Sequence, residues 1–170
     1  MAARSLDLKG VRAAVLTVSD SCSVGRRHDE SGPALSRLLL ARGAEVAARD
    51  IVRDRKTAIA GKLRGYAKKF NVDLILTTGG TGLGPRDVTP EATRSVIRKE
   101  VPGIAELMRL KSFKKTDRAA LSRAVAGIFD KTLVVNLPGS PKGAVECFLA
   151  AADVLPHALA MMRGEGHAEK

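Results

Sequence analysis

Residues 72–82 pass without a break from an apolar run, Val72-Asp73-Leu74-Ile75-Leu76-Thr77, into Gly79-Gly80-Thr81-Gly82. A continuous apolar run that ends in turn residues is the pattern of a strand buried on both faces, as in a parallel sheet. Glycines at its carboxyl end let the backbone turn sharply and approach a ligand closely. The run Arg12–Val18, ending at Ser19-Asp20, and the segment 44–52, ending near Asp54, read the same way. Helix patterns lie between them. Ser31-Gly32-Pro33 opens one, with Leu35, Leu38 and Leu39 on one face and Gly43 as its stop. Thr57–Phe70 forms another, with Ile59, Leu63, Ala67 and Phe70 turned inward. Thr89-Pro90-Glu91 starts a third, with Thr89 as N-cap.

Further helices are expected over 104–110 and 119–126, the second carrying Ser122 and Arg123. Segments 124–129 and 132–137 form a hairpin around Asp130-Lys131, and a final helix runs over 142–162 with a bend at Pro156. Strands alternating with helices of this length give a three-layer α/β/α sandwich, with a mostly parallel sheet and one antiparallel strand. The 170 residues suffice for one domain. The expected organisation is an extension over 1–9, a domain over 10–163 and a tail over 164–170. In open parallel sheets ligands bind beyond the carboxyl ends of the strands. Here those ends carry Ser19-Asp20, Asp54, Thr78 to Asp87 and Pro138 to Pro141.

Composition narrows the class. Aromatic residues are 3% of the chain, so the core is built from Ala, Val, Leu and Ile. Cys22 and Cys147 are far apart with no CxxC, which argues for free thiols and against a structural zinc site. The net charge of +11 raises nucleic acid as a partner, but the cations are dispersed and aromatics are scarce, so none is expected. A field that draws in polyanionic small molecules accounts for the same charge. The apolar run near the N-terminus is not that of a signal peptide, and the segment 144–162 is interrupted by Glu146, Asp153, Pro156 and His157. A cytoplasmic protein with no membrane partner is the expectation.

The glycine run continues as Gly82-Leu83-Gly84-Pro85-Arg86-Asp87. Successive amides in such a loop can form a nest for anions, Thr78 and Thr81 add hydroxyls, and Asp87 supplies an oxygen ligand where a phosphate-bridging Mg²⁺ needs one. No Gly-Lys-Ser/Thr follows, so this is not a Walker A loop. Pro138-Gly139-Ser140-Pro141-Lys142 precedes the last helix, whose N-terminus would face the same rim, with Ser140 as donor and Lys142 as charge. Ser19 and Asp20 read equally as ligands or as local caps, and Asp29 reads as a helix cap. Arg86 either counters phosphate charge or pairs with the neighbouring Asp87.

The stretch Thr77-Thr78-Gly79-Gly80-Thr81-Gly82 through Arg86-Asp87-Val88-Thr89-Pro90-Glu91-Ala92-Thr93 resembles the signature of the Mog/MoaB molybdopterin adenylyltransferase family. Val18-Ser19-Asp20, Asp29-Glu30-Ser31-Gly32-Pro33, Leu121-Ser122-Arg123 and Asn136-Leu137-Pro138-Gly139 agree in order and spacing, over residues 10–163. The resemblance extends to the corresponding domains of the plant molybdenum-cofactor protein and of gephyrin. It implies adenylylation of molybdopterin by Mg²⁺-ATP within molybdenum cofactor biosynthesis, with pyrophosphate released. The alternative is a MoaB-like protein that binds molybdopterin without that chemistry. The resemblance further implies Asp87 and Asp54 as catalytic and metal-associated carboxylates, with Asp50 as the alternative to Asp54. It implies a ligand-binding set of Ser19, Asp20, Thr78, Gly79, Gly80, Thr81, Gly82, Ser122, Pro138, Gly139, Ser140 and Lys142. A homotrimer, and a MoeA-like molybdate-insertion enzyme as partner, are implied by the resemblance alone.

Overall fold

The computed structural model describes residues 7–165. Most of the expected tail, and residues 1–6 of the expected extension, lie outside the described residues. Strand β1 (Arg12–Val18) is followed by a one-turn helix α1 (Asp20–Ser23), then α2 (Ser31–Ala41), β2 (Glu45–Val52), α3 (Lys56–Lys69) and β3 (Leu74–Thr78). After the glycine-rich loop come α4 (Thr89–Arg94), β4 (Lys99–Glu100) and α5 (Pro102–Phe113). A 3₁₀ turn (Asp117–Leu121), β5 (Ala126–Phe129), β6 (Thr132–Leu137), α6 (Pro141–Ala151) and α7 (Leu155–Met162) complete the order.

The six strands form one sheet in the order β2-β1-β3-β6-β5-β4. β2, β1, β3 and β6 are mutually parallel, and β5 runs antiparallel to β6 and to β4. The sheet is therefore mostly parallel with one reversed strand, as the alternation of segments implies. Asp130 takes φ of 53° in the β5–β6 turn, a conformation that Asp tolerates better than most residues.

Both faces of the sheet are covered, which is why its central strands are mostly apolar, with Thr17, Thr77, Thr78, Thr132 and Asn136 as buried polar residues. Along β1, Ala13 and Val15 pack with Leu35, Leu39, Met108 and Phe148 of α2, α5 and α6. Ala14, Leu16 and Val18 point the other way, against Ile59, Leu63 and Tyr66 of α3. Leu74 and Leu76 of β3 join the first layer and Ile75 the second. Each fully buried aliphatic side chain of this kind contributes about 1.5–3 kcal/mol.

Four details differ from the sequence reading. The segment expected as helix over 119–126 is a 3₁₀ turn that ends at Leu121, followed by extended backbone. The final helix breaks after Ala151 and restarts at Leu155, because Pro156 belongs in the first turn of a new helix, where its missing N–H costs nothing. Phe70 is exposed, and Tyr66, 1% exposed, takes the core position instead. Thr89 is not an N-cap; its buried hydroxyl donates to Gly79 O at 2.8 Å. Among the described residues no single helix is long and apolar enough to cross a membrane.

Candidate active site at the carboxyl ends of the parallel strands

The parallel register places the last residues of β1, β3 and β6 side by side: Thr17 pairs with Thr78, and Thr78 with Leu137. Each chain then turns outward at the same height, and a polar cavity of about 290 Å³ opens between the turns. Its lining includes Ser19, Asp54, Thr78, Gly79, Gly80, Asp87, Gly139 and Ser140.

Glycine is required at the base of this cavity. Gly79 has φ of 104° and Gly80 φ of 65°, both in the left-handed half of the map. A Cβ on Gly79 would overlap the Val18 carbonyl oxygen, and one on Gly80 would overlap the Thr89 hydroxyl. The Gly79 amide donates to Leu137 O at 3.1 Å and the Gly84 amide to Asp87 Oδ2 at 2.8 Å. The amides of Gly80, Thr81 and Gly82 have no protein acceptor among the described residues, and of these three Gly80 borders the cavity.

The carboxylates are arranged by the backbone. Asp54 Oδ2 accepts from the Asp20 amide at 2.7 Å, while Asp20 Oδ1 accepts from the Asp54 amide at 3.2 Å. This reciprocal pair clamps the end of β2 to the start of α1. Burial raises the Asp54 carboxyl above the ordinary carboxylate range, and the charges of Asp20 and Asp87 push it further the same way. Asp20 is held below that range, chiefly by the hydrogen bond from Arg86, whose Nε and Nη2 reach Asp20 Oδ2 at 3.0 and 2.5 Å. Arg86 thus pairs with Asp20 and not with the neighbouring Asp87, a correction of the sequence reading. Asp50 accepts from Tyr66 Oη at 2.7 Å and from Lys62 at 3.0 Å on the α3 side of β2, so of the two candidates in that strand region Asp54 is the one in the cavity.

Six of the residues read as ligand-binding stand elsewhere. Asp20 lies behind Asp54, holding it. Thr81 is buried, with its carbonyl taken by the Arg123 amide, and the Gly82 carbonyl is taken by Arg123 Nε. Ser122 and Pro138 line a neighbouring cavity of about 220 Å³, which shares Ser140 with the first. Lys142 is exposed on the first turn of α6, outside both cavities. Thr78 does line the site, but its hydroxyl donates to Pro138 O at 2.7 Å. Ser140 caps α6 by accepting from the Gly143 amide at 3.2 Å, and Ser19 caps α1 by accepting from Cys22 N.

The sequence reading missed Arg27 and His28, which line the site from the loop between α1 and α2. It also gave Asp29 as a cap only. Asp29 does accept from the Gly32 amide, and it accepts from the Thr17 hydroxyl at 2.8 Å in the cavity wall. No periodicity marks a loop residue of this kind, so only the fold reveals it. A larger cavity of about 570 Å³ lies between α7 and the β5–β6 turn and shares no residue with the site.

Asp54 and Asp87 in one polar cavity, with Asp29 and Glu30 also on its lining, suit a hard cation that takes oxygen ligands. Among the described residues no group of three or more His, Cys, Asp or Glu is gathered for a metal. Mg²⁺ binds through one or two carboxylates and completes its shell with phosphate and water, and Asp54 and Asp87 are the residues that would supply those carboxylates.

Residues 14–157 match the family described as "Probable molybdopterin binding domain". The chain is 39% identical to a molybdopterin adenylyltransferase of Helicobacter pylori, over 92% of this chain and 90% of that protein. It is 44% identical to the Drosophila melanogaster molybdenum cofactor synthesis protein cinnamon over 89% of this chain, and spans 26% of that longer protein. The structure of the molybdopterin biosynthesis enzyme MoaB of Thermus thermophilus superposes with a TM-score of 0.86 at 52% identity, covering 91% of this chain and 97% of that one. With the fold, the glycine-rich corner and these relatives in agreement, the chain belongs to the molybdopterin-binding domain family that contains the Mog and MoaB proteins.

Proposed function

We propose that this chain is a molybdopterin adenylyltransferase of molybdenum cofactor biosynthesis, using ATP with Mg²⁺. The observation that carries this reading is the meeting of Asp54, Asp87, Gly80 and the capped start of α6 in one cavity. In the reaction a terminal phosphate oxygen of molybdopterin attacks the α-phosphorus of ATP. The bond from that phosphorus to the bridging oxygen breaks, and pyrophosphate leaves. Such a transfer needs alignment and charge neutralisation rather than a covalent intermediate.

The residues divide that work. The Gly80 amide and the N-terminus of α6 receive phosphate oxygens. Ser140, bordering both cavities, marks the junction between the two substrates, with Ser122 and Pro138 on the pterin side. Asp54 and Asp87 would hold Mg²⁺, which when bound neutralises the charge gathering on the transferred phosphate. The net charge of +11 helps collect two polyanionic substrates. The same reading takes the protein as a cytoplasmic homotrimer that hands its product to a MoeA-like molybdate-insertion enzyme, on the strength of the family resemblance.

A reconstituted assay tests this. Purified chain with molybdopterin, ATP and Mg²⁺ is expected to release pyrophosphate and form adenylyl-molybdopterin. Asp54→Asn is expected to lose at least about 100-fold in turnover. Asp50→Asn, which disturbs only the pair with Tyr66 and Lys62, is expected to stay within about threefold. Molybdopterin binding by calorimetry with no product formed would instead make the chain a MoaB-like binding protein.

A further inference from the structure

Arg123 lines neither cavity, yet it makes more polar contacts to the glycine-rich loop than any site residue does. It sits in the extended segment between the 3₁₀ turn and β5. Its amide donates to Thr81 O at 3.0 Å. Its guanidinium donates through Nε to Gly82 O at 2.7 Å and through Nη2 to Asp87 O at 2.5 Å. Nη1 donates to Glu91 Oε1 on α4. One side chain thus fixes both shoulders of the loop and ties them to the helix that follows.

The loop has need of such a staple. Leu83 to Arg86 are exposed and pack against no core. Inside the loop, Asp87 N donates to Gly84 O at 3.0 Å and Asp87 Oδ2 accepts from Gly84 N at 2.8 Å. These bonds lie within the turn, and a further tie outward, from Arg86 to Asp20, is exposed and reaches the tip rather than Asp87. The carbonyl gripped by Nη2 belongs to Asp87 itself, so the guanidinium fixes the backbone from which that carboxylate projects. A planar fork of donors can reach two carbonyls and a carboxylate at once, which a lysine ammonium on a flexible stem cannot do with the same geometry.

On the adenylyltransferase reading above, we propose that Arg123 is a positioning residue for the transfer: it acts through Asp87, holding that carboxylate in register with Asp54 without touching either substrate. The full chain carrying Arg123→Gln is compared with wild type and with Asp87→Asn, varying ATP and molybdopterin separately. Turnover of Arg123→Gln is expected to fall about 100-fold, the loss that a displacement of about 1 Å produces. KM for ATP is expected to stay within about threefold, because the phosphate-facing groups are untouched. Arg123→Lys is expected to recover part of the turnover. The double variant Arg123→Gln/Asp87→Asn is expected within about threefold of Asp87→Asn alone, since both changes act on one group.

Wild-type turnover in folded Arg123→Gln, or losses that multiply in the double variant, would overturn the proposal. Should Arg123→Gln fail to fold, Arg123→Lys carries the same turnover and double-variant comparison. Full activity in Asp87→Asn would bring down the underlying functional reading itself, an outcome separate from a failure of Arg123 alone.

Discussion

Asp87→Asn is expected to fold as the wild type does and to lose adenylyl transfer on the order of 10³-fold, about 4 kcal/mol of transition-state stabilisation. The fold should survive because asparagine is nearly isosteric, and its Oδ1 can still accept from the Gly84 amide that Asp87 Oδ2 accepts from at 2.8 Å. The Arg123 bond to residue 87 is made to the backbone carbonyl and is indifferent to the side chain. What disappears is the negative charge of one of the carboxylates lining the cavity. Matching circular dichroism and thermal midpoints, combined with turnover in the reconstituted assay, checks this. A variant that turns over normally would remove Asp87 from any metal or phosphate role.

Gly79→Ala is expected to have the largest effect on the folded state. Its φ of 104° lies where a side chain is strained. The added methyl would also meet the Val18 carbonyl oxygen at the end of β1. That oxygen lies at the end of β1, an inner strand paired on both sides. On the other side Gly139 packs near, so that a Cβ built on it would lie 3.1 Å from Gly79 Cα. Strain and overpacking together are expected to cost about 3–5 kcal/mol, read as a lower urea midpoint at unchanged slope. Molecules that remain folded should also lose nucleotide binding, because the displaced backbone carries the Gly80 amide with it.

The fold was legible where the hydrophobic pattern was long. Arg12–Val18 and Thr132–Leu137 are strands buried on both faces, and their predominantly apolar runs without alternation announce it. The short pieces were not legible. Lys99–Glu100 has two exposed residues and no periodicity; the strand exists because Arg98 and Val101 donate to Ile128 O and Ala126 O on β5. The one-turn α1 has no apolar stripe to read. Residues 119–126 carry helical spacing, but the Arg123 amide is drawn to Thr81 O, and that tertiary bond overrides the local preference.

The site was legible in part for the same physical reason. Residues at strand ends, such as Asp54, Gly79 and Ser140, follow from the topology, because a parallel sheet brings those ends to one rim. Asp20 and Thr78 occur in the same segments, but their polar atoms are turned to neighbours: Asp20 to Arg86 and Asp54, and the Thr78 hydroxyl to Pro138 O. Sequence spacing gives the neighbourhood of a side chain and not its partner.

The central claim is that a triphosphate lies against the Gly79-Gly80 turn with Asp54 and Asp87 across from it. The most direct measurement is a crystal structure of the chain with a non-hydrolysable ATP analogue and Mg²⁺. The expected density places phosphate oxygens within hydrogen-bond distance of the Gly80 amide and a cation between the phosphates and the two carboxylates. Nucleotide bound at another surface, with this corner closed by its own side chains, would contradict the account.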